Sequence, residues 1–329
     1  MTIAARKKNH IEVCLSEDVR SKINNGFERY RLIHNALPEA DFESFSAETE
    51  FLGKKISAPI LISSMTGGTE QGEQINRNLL AAAAELNIPF AIGSQRIYLV
   101  NHDHSLDQYR KISKNIPILA NVGAVQLNYG FIRDDFLRAV EMLEADALIL
   151  HLNPLQELLQ DDGDTDFSGL LKKIENICRN FPVPIIVKEV GWGISCNVAC
   201  KLRDAGVSVI DVAGAGGTSW SQVESLISAD PAAKLLAEPF AGWGIPTAEC
   251  IRSIHEMDPN IKLIASGGLS TGVDAAKAIL LGASLAGFAG RLLPGAVYSD
   301  PEKVSDILKL IIQQYKIARF VSSGIEECV

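Results

Sequence analysis

The sequence predicts an α/β protein of the (β/α)₈ barrel class with an N-terminal extension. Two observations support this: eight short apolar runs follow one another after residue 58, and amphipathic stretches separate them. Continuous apolar runs of this length are typical of strands buried on both faces, as in a parallel sheet. The 329 residues, 47% of them hydrophobic, suffice for one large domain or two ordinary ones. The alternation favours a TIM barrel over a doubly wound sheet, which would usually need fewer strands for this length.

The elements follow in order along the chain. Strands are predicted at residues 59–64, 90–94, 117–123, 147–153, 184–190, 209–214, 262–268 and 285–290. Helices are predicted at residues 74–86, 134–143, 167–180, 197–205, 247–257 and 272–281. Residues 1–55 are instead charged and show no strong periodicity. We therefore expect residues 1–55 to form an extension that closes over the barrel mouth, and residues 56–329 to form the barrel.

Composition and charge argue against several classes of function. A net charge of −9 makes a nucleic-acid partner improbable, because binding nucleic acid requires a basic stripe. The six cysteines include no C-x-x-C pair and no zinc-site spacing, which favours reduced thiols. The first residues lack the apolar region of a secretory signal, and no run of about 18 apolar residues could span a membrane. The sequence therefore predicts a cytoplasmic protein without a membrane partner.

Polar residues or glycines stand at the end of almost every predicted strand, Asn121 and His151 among them. In a barrel these ends converge on the face that holds catalytic sites, although polar loop starts are the simpler explanation. Lys188 lies inside an apolar strand, where a cation requires a negative partner. A ligand such as the N1–C2=O edge of a reduced flavin would serve. The alternative is a structural pair with Glu189 or Asp211, but Glu189, as the next residue of the strand, should point the other way.

Glycine-rich turns follow the last three strands. Ser266-Gly267-Gly268 and Phe288-Ala289-Gly290 end the seventh and eighth strands, and a loop of small residues at 214–220 follows the sixth. Backbone N–H groups at such turns often bind phosphate in barrels, because glycine allows the anion to approach closely. Ordinary tight turns are the alternative. The sequence thus predicts an anion site on this side of the barrel.

A dense polar cluster ends the fourth strand. The segment His151-Leu152-Asn153-Pro154-Leu155-Gln156-Glu157 combines an imidazole, two amides and a carboxylate within seven residues. Mg²⁺ binds one or two carboxylates together with substrate phosphate oxygens, so Glu157 is a natural metal ligand.

Two charged segments need separate interpretations. Residues 6–10 are basic in an acidic protein and predict a diphosphate clamp, with a solvated tail as the alternative. The aspartates of residues 161–166 do not form a calcium loop, because Phe167 stands where glycine is required and Lys173 where the last glutamate belongs. We interpret them as a solvated turn and helix cap.

Taken together, these motifs resemble those of the type 2, flavin-dependent isopentenyl-diphosphate isomerases, and they do so in order along nearly the whole chain. The matching pieces are Arg6-Lys7-x-x-His10-Ile11, Met65-Thr66-Gly67-Gly68, Gly93-Ser94-Gln95-Arg96, residues 121–126, residues 151–157, residues 211–220 and Ser266-Gly267-Gly268. The H-L-N-P-x-Q-E and G-G-T-S-W pieces are specific, whereas many flavin barrels share the glycine turns. The resemblance implies a barrel that interconverts isopentenyl and dimethylallyl diphosphate with reduced FMN, NADPH as the reductant, and Mg²⁺. It also implies a homotetramer or homo-octamer.

The resemblance assigns roles residue by residue. FMN contacts are implied for Ser64, Met65, Thr66, Ser94, Asn121, Lys188, Thr218, Gly267, Gly268, Ala289 and Gly290. Contacts to the substrate diphosphate are implied for Arg6, Lys7, Ser94, Gln95, Arg96 and Gln156. The catalytic pocket would contain His10, His151, Asn153 and Gln156, with Mg²⁺ on Glu157.

Such a reaction moves a double bond by adding a proton at one carbon and removing one from another. Its intermediate would be a tertiary carbocation, which water would quench, so we expect a dry pocket. The flavin N5 edge is the expected proton carrier, with Gln156 positioning or relaying the proton.

Other classes of function fit less well. A 2-hydroxy-acid oxidase would carry a base histidine in the segment 213–218, which has none. An enzyme like inosine-monophosphate dehydrogenase would need a cysteine after Gly93-Ser94, where Gln95 stands. A flavin-binding barrel without catalysis is the non-enzymatic alternative.

Overall fold

The computed structural model describes residues 2–101, 106–297 and 300–328. Within these ranges the strands are Tyr30–His34 (β1), Thr49–Phe51 (β2), Lys54–Ile56 (β3), Ile60–Ile62 (β4), Phe90–Ala91 (β5), Ile118–Gly123 (β6), Ala147–His151 (β7), Ile185–Lys188 (β8), Val209–Asp211 (β9), Leu263–Ala265 (β10), Leu285–Phe288 (β11) and Ser322–Glu327 (β12). The α-helices are Ile3–Ser16 (α1), Glu70–Glu85 (α2), Arg96–Val100 (α3), Asp107–Ile112 (α4), Arg133–Glu141 (α5), Pro154–Leu159 (α6), Leu170–Cys178 (α7), Cys196–Asp204 (α8), Trp220–Ile227 (α9), Pro231–Ala237 (α10), Thr247–Met257 (α11), Gly272–Leu280 (α12), Leu293–Val297 (α13) and Pro301–Phe320 (α14).

Strands β4 to β11 form a closed parallel barrel, each pairing with the next along the chain and β11 pairing with β4. Every one of these strands lies within one of the eight predicted runs, and each predicted helix overlaps an observed helix. The predicted (β/α)₈ barrel is thus confirmed. The doubly wound alternative is wrong, because the pairing of β11 with β4 closes the sheet.

Side-chain caps fix the start of several barrel helices. Thr69 Oγ1 accepts the Gly72 N–H before α2, and Ser195 Oγ accepts the Val198 N–H before α8. Thr271 before α12 forms a reciprocal capping box with an aspartate of the first turn. These caps satisfy N–H groups that have no partner within a helix.

The barrel interior is a separate apolar layer that includes Leu119, Ile149, Ile186 and Val209. Side chains alternate along a strand, so the residues two positions further also face inward. Those residues are Asn121, His151, Lys188 and Asp211. The strand register places His151 beside Lys188, and Lys188 beside Asp211. The alternation of side chains along each strand therefore places a polar layer directly above the apolar one.

The parts of the predicted extension, residues 1–55, lie at different positions around the barrel. Helix α1 lies at the carboxyl-terminal end of the barrel, where it packs on α9. Strand β1 pairs antiparallel with β12 outside the barrel. The hairpin β2–β3 lies at the opposite, amino-terminal end, because Phe51 joins the interior layer and Lys54 contacts residues just before β6 and β7. Only α1 and the loop after it are therefore placed at the barrel mouth.

Among the described residues, no helix combines the length and apolar character needed to cross a membrane.

Candidate active site

Two adjoining cavities open at the carboxyl-terminal end of the barrel, with volumes of about 190 and 500 Å³. We call them the smaller and the larger cavity. The volume of the larger one is within the range of small-molecule sites. Both cavities are lined by His10, Ser64, Met65, Thr66, Lys188, Val190 and Trp220. The two cavities therefore adjoin along these shared residues, which we call the common wall, and ligands in them would lie next to each other.

Lys188 is a buried cation in this wall. Its Nζ donates to the Glu189 backbone oxygen at 2.6 Å, and its charge acts on Asp211 and His151, its neighbours in register. The Glu189 carboxylate is engaged elsewhere, since its Oε2 accepts backbone N–H groups of residues 190–193. Burial raises the pKa of Glu189 to about 7 despite those bonds. The alternative pairing of Lys188 with the Glu189 carboxylate is thus wrong, and the glutamate instead shapes the loop after β8.

His151 is held as a neutral ring with a defined tautomer. Burial, with the charges of Lys188, Lys7 and Arg96, lowers the pKa of His151 to about 3. Its Nδ1 lies 2.8 Å from Asn121 Oδ1, while Asn121 Nδ2 donates to the Ile92 oxygen. Because the Asn121 amide is thereby oriented with its oxygen toward the ring, Nδ1 carries the proton and Nε2 is a free acceptor site.

Closely packed glycine loops shape one side of the larger cavity. Gly267 and Gly268 have φ values of +107° and +76°, and a side chain at either would collide with the backbone of Gly214 or Gly216. Both therefore need glycine to pack two loops closely. In the wall, the Ser64 and Thr66 hydroxyl oxygens are buried without a hydrogen-bond partner. A buried polar atom without a partner is costly, which points to a ligand that satisfies these hydroxyls.

The segment of residues 17–25 runs over the larger cavity: residues 17–20 line it, and the residues that follow bond to the loops around it. The Ser219 N–H donates to the Val19 oxygen at 2.7 Å, and the Ser21 N–H donates to the Gly217 oxygen at 2.8 Å. Asn25 Nδ2 donates to the Gly268 oxygen at 2.8 Å. Residues 17–25 belong to the segment that we expected to close over the barrel mouth, and the individual contacts, most of them between backbone atoms, could not be predicted from charge or apolar patterning.

Besides Lys188, the smaller cavity is lined by three basic side chains, Arg6, Lys7 and Arg96. Lys7 Nζ donates to the Ser94 oxygen at 2.9 Å, and burial together with Arg96 lowers the pKa of Lys7 to about 7. Asp164 pairs with Arg96 at 2.6 Å and Asp162 lies 3.8 Å from Arg6, so these carboxylates offset part of the positive charge. The cluster still favours an anionic ligand, because cations held close together repel one another.

A buried glutamate that sequence reasoning missed joins two predicted catalytic residues. Glu224 Oε1 lies 2.9 Å from His10 Nε2 and accepts from Gln156 Nε2 at 2.7 Å. The His10 ring also stands edge-on to Trp220, with centroids 5.2 Å apart. Glu224 therefore fixes α1 to α6 and α9 at the cavity. No element or motif was predicted at Glu224, which follows the loop of residues 214–220, so the sequence gave no signal of this role.

Glu157 is a partly desolvated carboxylate with oriented neighbours. Burial raises its pKa, whereas the Asp164 N–H (2.7 Å) and Asn153 Nδ2 (2.8 Å) donate to it and lower that pKa. In the described part of the chain, no three His, Cys, Asp or Glu side chains group into a metal site. A cation here would therefore need oxygen atoms from a bound ligand in addition to Glu157.

The acidic segment 161–166 is more than the solvated turn that we predicted. Asp164 Oδ2 accepts from Arg96 Nη1 at 2.6 Å and from Gln126 Nε2 at 2.9 Å. Asp166 does form a local turn, since it accepts from Ser168. The interpretation is thus wrong for Asp164, whose partners lie about 40 to 70 residues away along the chain.

Comparisons with known proteins agree with this geometry. A family model described as FMN-dependent dehydrogenase matches residues 9–105 and 151–319. Isopentenyl-diphosphate delta-isomerase of Pseudescherichia vulneris is 50% identical over 327 residues, which cover 98% of this chain and 93% of that protein. The enzyme of the same name from Nostoc sp. is 49% identical over 323 residues, with 97% and 92% covered. The chain belongs to the type 2, FMN-dependent isopentenyl-diphosphate isomerase family.

A solved structure of mandelate oxidase with (S)-2-phenylpropionate matches this type 2 isomerase chain with a TM-score of 0.67 at 16% identity, covering 98% and 94% of the two chains. At this identity the match shows a shared barrel fold.

The structure places nearly all the residues implied by the type 2 isomerase resemblance in the two cavities. Of the predicted cofactor residues, Ser64, Met65, Thr66 and Lys188 line both cavities, Ser94 and Asn121 line the smaller one, and Thr218, Gly267, Gly268, Ala289 and Gly290 line the larger one. The smaller cavity is also lined by Arg6, Lys7, Arg96, His10, His151, Asn153, Gln156 and Glu157. Their chemical roles stay predictions.

Gln95 is the exception and a correction. Its side chain is fully buried and lines neither cavity. Gln95 Nε2 donates to the Ala139 oxygen, and its Oε1 accepts the Asn121 N–H, both at 2.9 Å. Because α3 begins at the next residue, the chain turns this amide toward α5 and away from the cavity that Arg96 lines.

Proposed function

We propose that this enzyme interconverts isopentenyl and dimethylallyl diphosphate, with FMN in the larger cavity and the substrate diphosphate with Mg²⁺ in the smaller one. The observation that carries the proposal is the common wall of the two cavities. Ser64, Met65, Thr66 and Lys188 line both of them. A flat ring seated against these residues in the larger cavity would lie next to a substrate seated in the smaller one.

The polar groups of the larger cavity are suited to binding a flavin nucleotide. The unpartnered Ser64 and Thr66 hydroxyls can hydrogen-bond the ring, and Lys188 can balance negative charge on it. At Gly290 an added Cβ would meet no protein atom closer than Thr218 Oγ1 at 3.7 Å, so protein packing does not require this glycine. Its smallness leaves room for a bound phosphate near Gly267 and Gly268.

The smaller cavity fits a diphosphate and a divalent cation. Arg6, Lys7 and Arg96 supply positive charge, and Arg is suited to phosphate oxygens through its paired N–H groups. Glu157 supplies one carboxylate, which matches the way Mg²⁺ binds through few carboxylates and substrate phosphates. Mg²⁺ would thus link Glu157 to the diphosphate.

The residues around the reacting carbons suit proton chemistry in a closed pocket. Neutral His151 and the Gln156 amide can orient a substrate without adding a positive charge that would oppose a carbocation. Helix α1, held in place by the His10–Glu224 contact, would help to exclude water from this pocket. When bound, reduced FMN supplies an electron-rich ring that can carry a proton and stabilise positive charge.

Anaerobic conversion of isopentenyl diphosphate by purified protein tests the proposal. We expect dimethylallyl diphosphate to form only when FMN, Mg²⁺ and NADPH or dithionite are all present. A protein that binds FMN stoichiometrically but does not convert the substrate would contradict the proposal. Oxidation of mandelate or another 2-hydroxy acid by the same sample would indicate an oxidase instead.

NADPH as the reductant, a homotetramer or homo-octamer, and a cytoplasmic location stay predictions from the family resemblance.

A further inference from the structure

Two amide oxygens beside Glu157 are buried without a partner. Gln126 Oε1 and Asn153 Oδ1 accept no hydrogen bond from any residue that the structure describes, although Gln126 and Asn153 are only 3% and 5% exposed. Both residues line the smaller cavity. Buried polar atoms of this kind normally have a partner, so the pair indicates a ligand that donates hydrogen bonds.

The orientations of both amides are fixed by carboxylates. Gln126 Nε2 donates to Asp164 Oδ2 at 2.9 Å, and Asn153 Nδ2 donates to Glu157 Oε1 at 2.8 Å. Rotating either amide would set its oxygen against a carboxylate oxygen, which is repulsive. The Asp164 N–H in turn donates to Glu157 Oε2 at 2.7 Å. Asp164 therefore ties Gln126 to the proposed metal ligand.

The substrate cannot satisfy these two oxygens. An ionised diphosphate and a hydrocarbon chain offer no hydrogen-bond donors. Magnesium, by contrast, gives up water reluctantly and usually keeps several waters when bound through one carboxylate and phosphates. Metal-bound waters are donors, and residues that hold such outer partners tune metal affinity.

We propose that Gln126 and Asn153 accept hydrogen bonds from waters on the Mg²⁺ ion that Glu157 binds, and that Asp164 is the positioning residue that orients Gln126. This inference rests on the proposed function, because it presupposes a cation at Glu157. It extends the cation site from one carboxylate to a shell of four side chains on three chain segments.

Binding of Mn²⁺, followed by electron paramagnetic resonance, tests the inference. The FMN-loaded protein is titrated with Mn²⁺ in the presence of isopentyl diphosphate, a saturated analogue without a double bond to move. Removal of outer partners typically costs about tenfold to a hundredfold in metal affinity, and we expect that loss for Gln126→Met. FMN affinity should not change, which separates this effect from a general loss of structure.

Asn128→Ala is the matched control. Asn128 lies on the same short helix, Ala124–Asn128, and anchors the same acidic segment through the backbone oxygens of Asp166 and Ser168. It does not line the smaller cavity, so Mn²⁺ affinity should match that of the unaltered protein. An equal loss in Asn128→Ala and Gln126→Met would overturn the inference, because loop disturbance would then explain both.

The role of Asp164 is tested by a double-mutant cycle. If Asp164 acts through Gln126, Asp164→Ala should weaken Mn²⁺ binding in the native background and add nothing to Gln126→Met. Asp164→Asn keeps an oxygen for Gln126 Nε2 and should restore most of the affinity. Additive losses would mean that Asp164 does not act by orienting Gln126.

Glu157→Gln separates failure of this inference from failure of the proposed function. Unchanged Mn²⁺ binding in Glu157→Gln would remove the metal site from the proposed function. Weakened binding in Glu157→Gln with unchanged binding in Gln126→Met would leave that site in place and overturn only the outer shell.

Discussion

The larger and the smaller cavity share a wall but are made of different groups. The larger one is shaped by glycine backbone at Gly267 and Gly268 and by the backbone-bonded cover of residues 17–25. The smaller one is shaped by charged and amide side chains whose partners come from distant segments, as with His10 and Glu224. The backbone-built cavity depends on local turn chemistry, whereas the other depends on long-range pairs that must all form together.

The largest expected effect tests whether backbone shape alone forms the larger cavity. Gly290→Val would place two methyl groups in open cavity space, because no protein atom lies nearer to the added Cβ than 3.7 Å. Overfilling a fitted site costs about 1–3 kcal/mol, so FMN affinity should fall about tenfold to a hundredfold. Fluorescence titration with FMN measures the loss.

Gly324→Val is the control for this change. Gly324 lies on β12, outside the cavities, and its added Cβ would lie 3.6 Å from Ile33 Cδ1. FMN affinity should be unchanged there. Native FMN affinity in Gly290→Val would show that the larger cavity does not hold the cofactor.

The same contrast explains how much the sequence could predict. Continuous apolar runs locate the eight barrel strands because burial on both faces is a local property. The glycine turns predict the larger cavity for a similar reason. Glu224 and Asp164 could not be found this way, because a single glutamate outside any predicted element and an aspartate in an acidic run resemble solvated residues. Their roles depend on contacts with His10, Arg96 and Gln126, which come close to them only in the folded barrel.

The next effect tests the long-range pairs of the smaller cavity. Glu224→Gln replaces a carboxylate that binds both His10 and Gln156 by a neutral amide. Charge-assisted hydrogen bonds are roughly twice as strong as neutral ones, so we expect kcat/KM for isopentenyl diphosphate to fall about tenfold to a hundredfold. FMN affinity should stay within about twofold of native, since the larger cavity is left intact.

Glu249→Gln serves as the control on a neighbouring barrel helix, because Glu249 is half-exposed and lies outside both cavities. It should retain native kinetics. If Glu224→Gln also retained native kinetics, the His10–Glu224–Gln156 contacts would have no part in the reaction.

A smaller effect concerns the pH dependence of diphosphate binding. The pKa of Lys7 is lowered to about 7, by burial first and by Arg96 second. A bound diphosphate favours charged Lys7 and raises its pKa, so binding takes up a proton above pH 7. The contribution of Lys7 to diphosphate affinity should therefore be constant below pH 7. Above pH 7 it should weaken the affinity by up to about tenfold per pH unit. Calorimetric titration with inorganic diphosphate measures the slope.

Lys7→Arg isolates that dependence, because arginine stays charged throughout the range. The ratio of the two proteins' affinities cancels the ionisation of the diphosphate itself. A ratio that does not change between about pH 6 and about pH 9 would mean that Lys7 is not the titrating group.

The smallest effect on binding is expected at Gln95, beside the cavity but not in it. Gln95→Met leaves the Asn121 N–H and the Ala139 oxygen without their partners in a buried position. An unsatisfied buried group costs about 1–3 kcal/mol, so the free energy of unfolding should fall by about 2 kcal/mol or more in urea denaturation. The KM for isopentenyl diphosphate should change by less than about twofold, because the Gln95 side chain does not line the smaller cavity. A large rise in KM with unchanged stability would instead return Gln95 to the substrate-binding residues. It would also show that matching local motifs locates side chains in the smaller cavity better than the observed hydrogen bonds do.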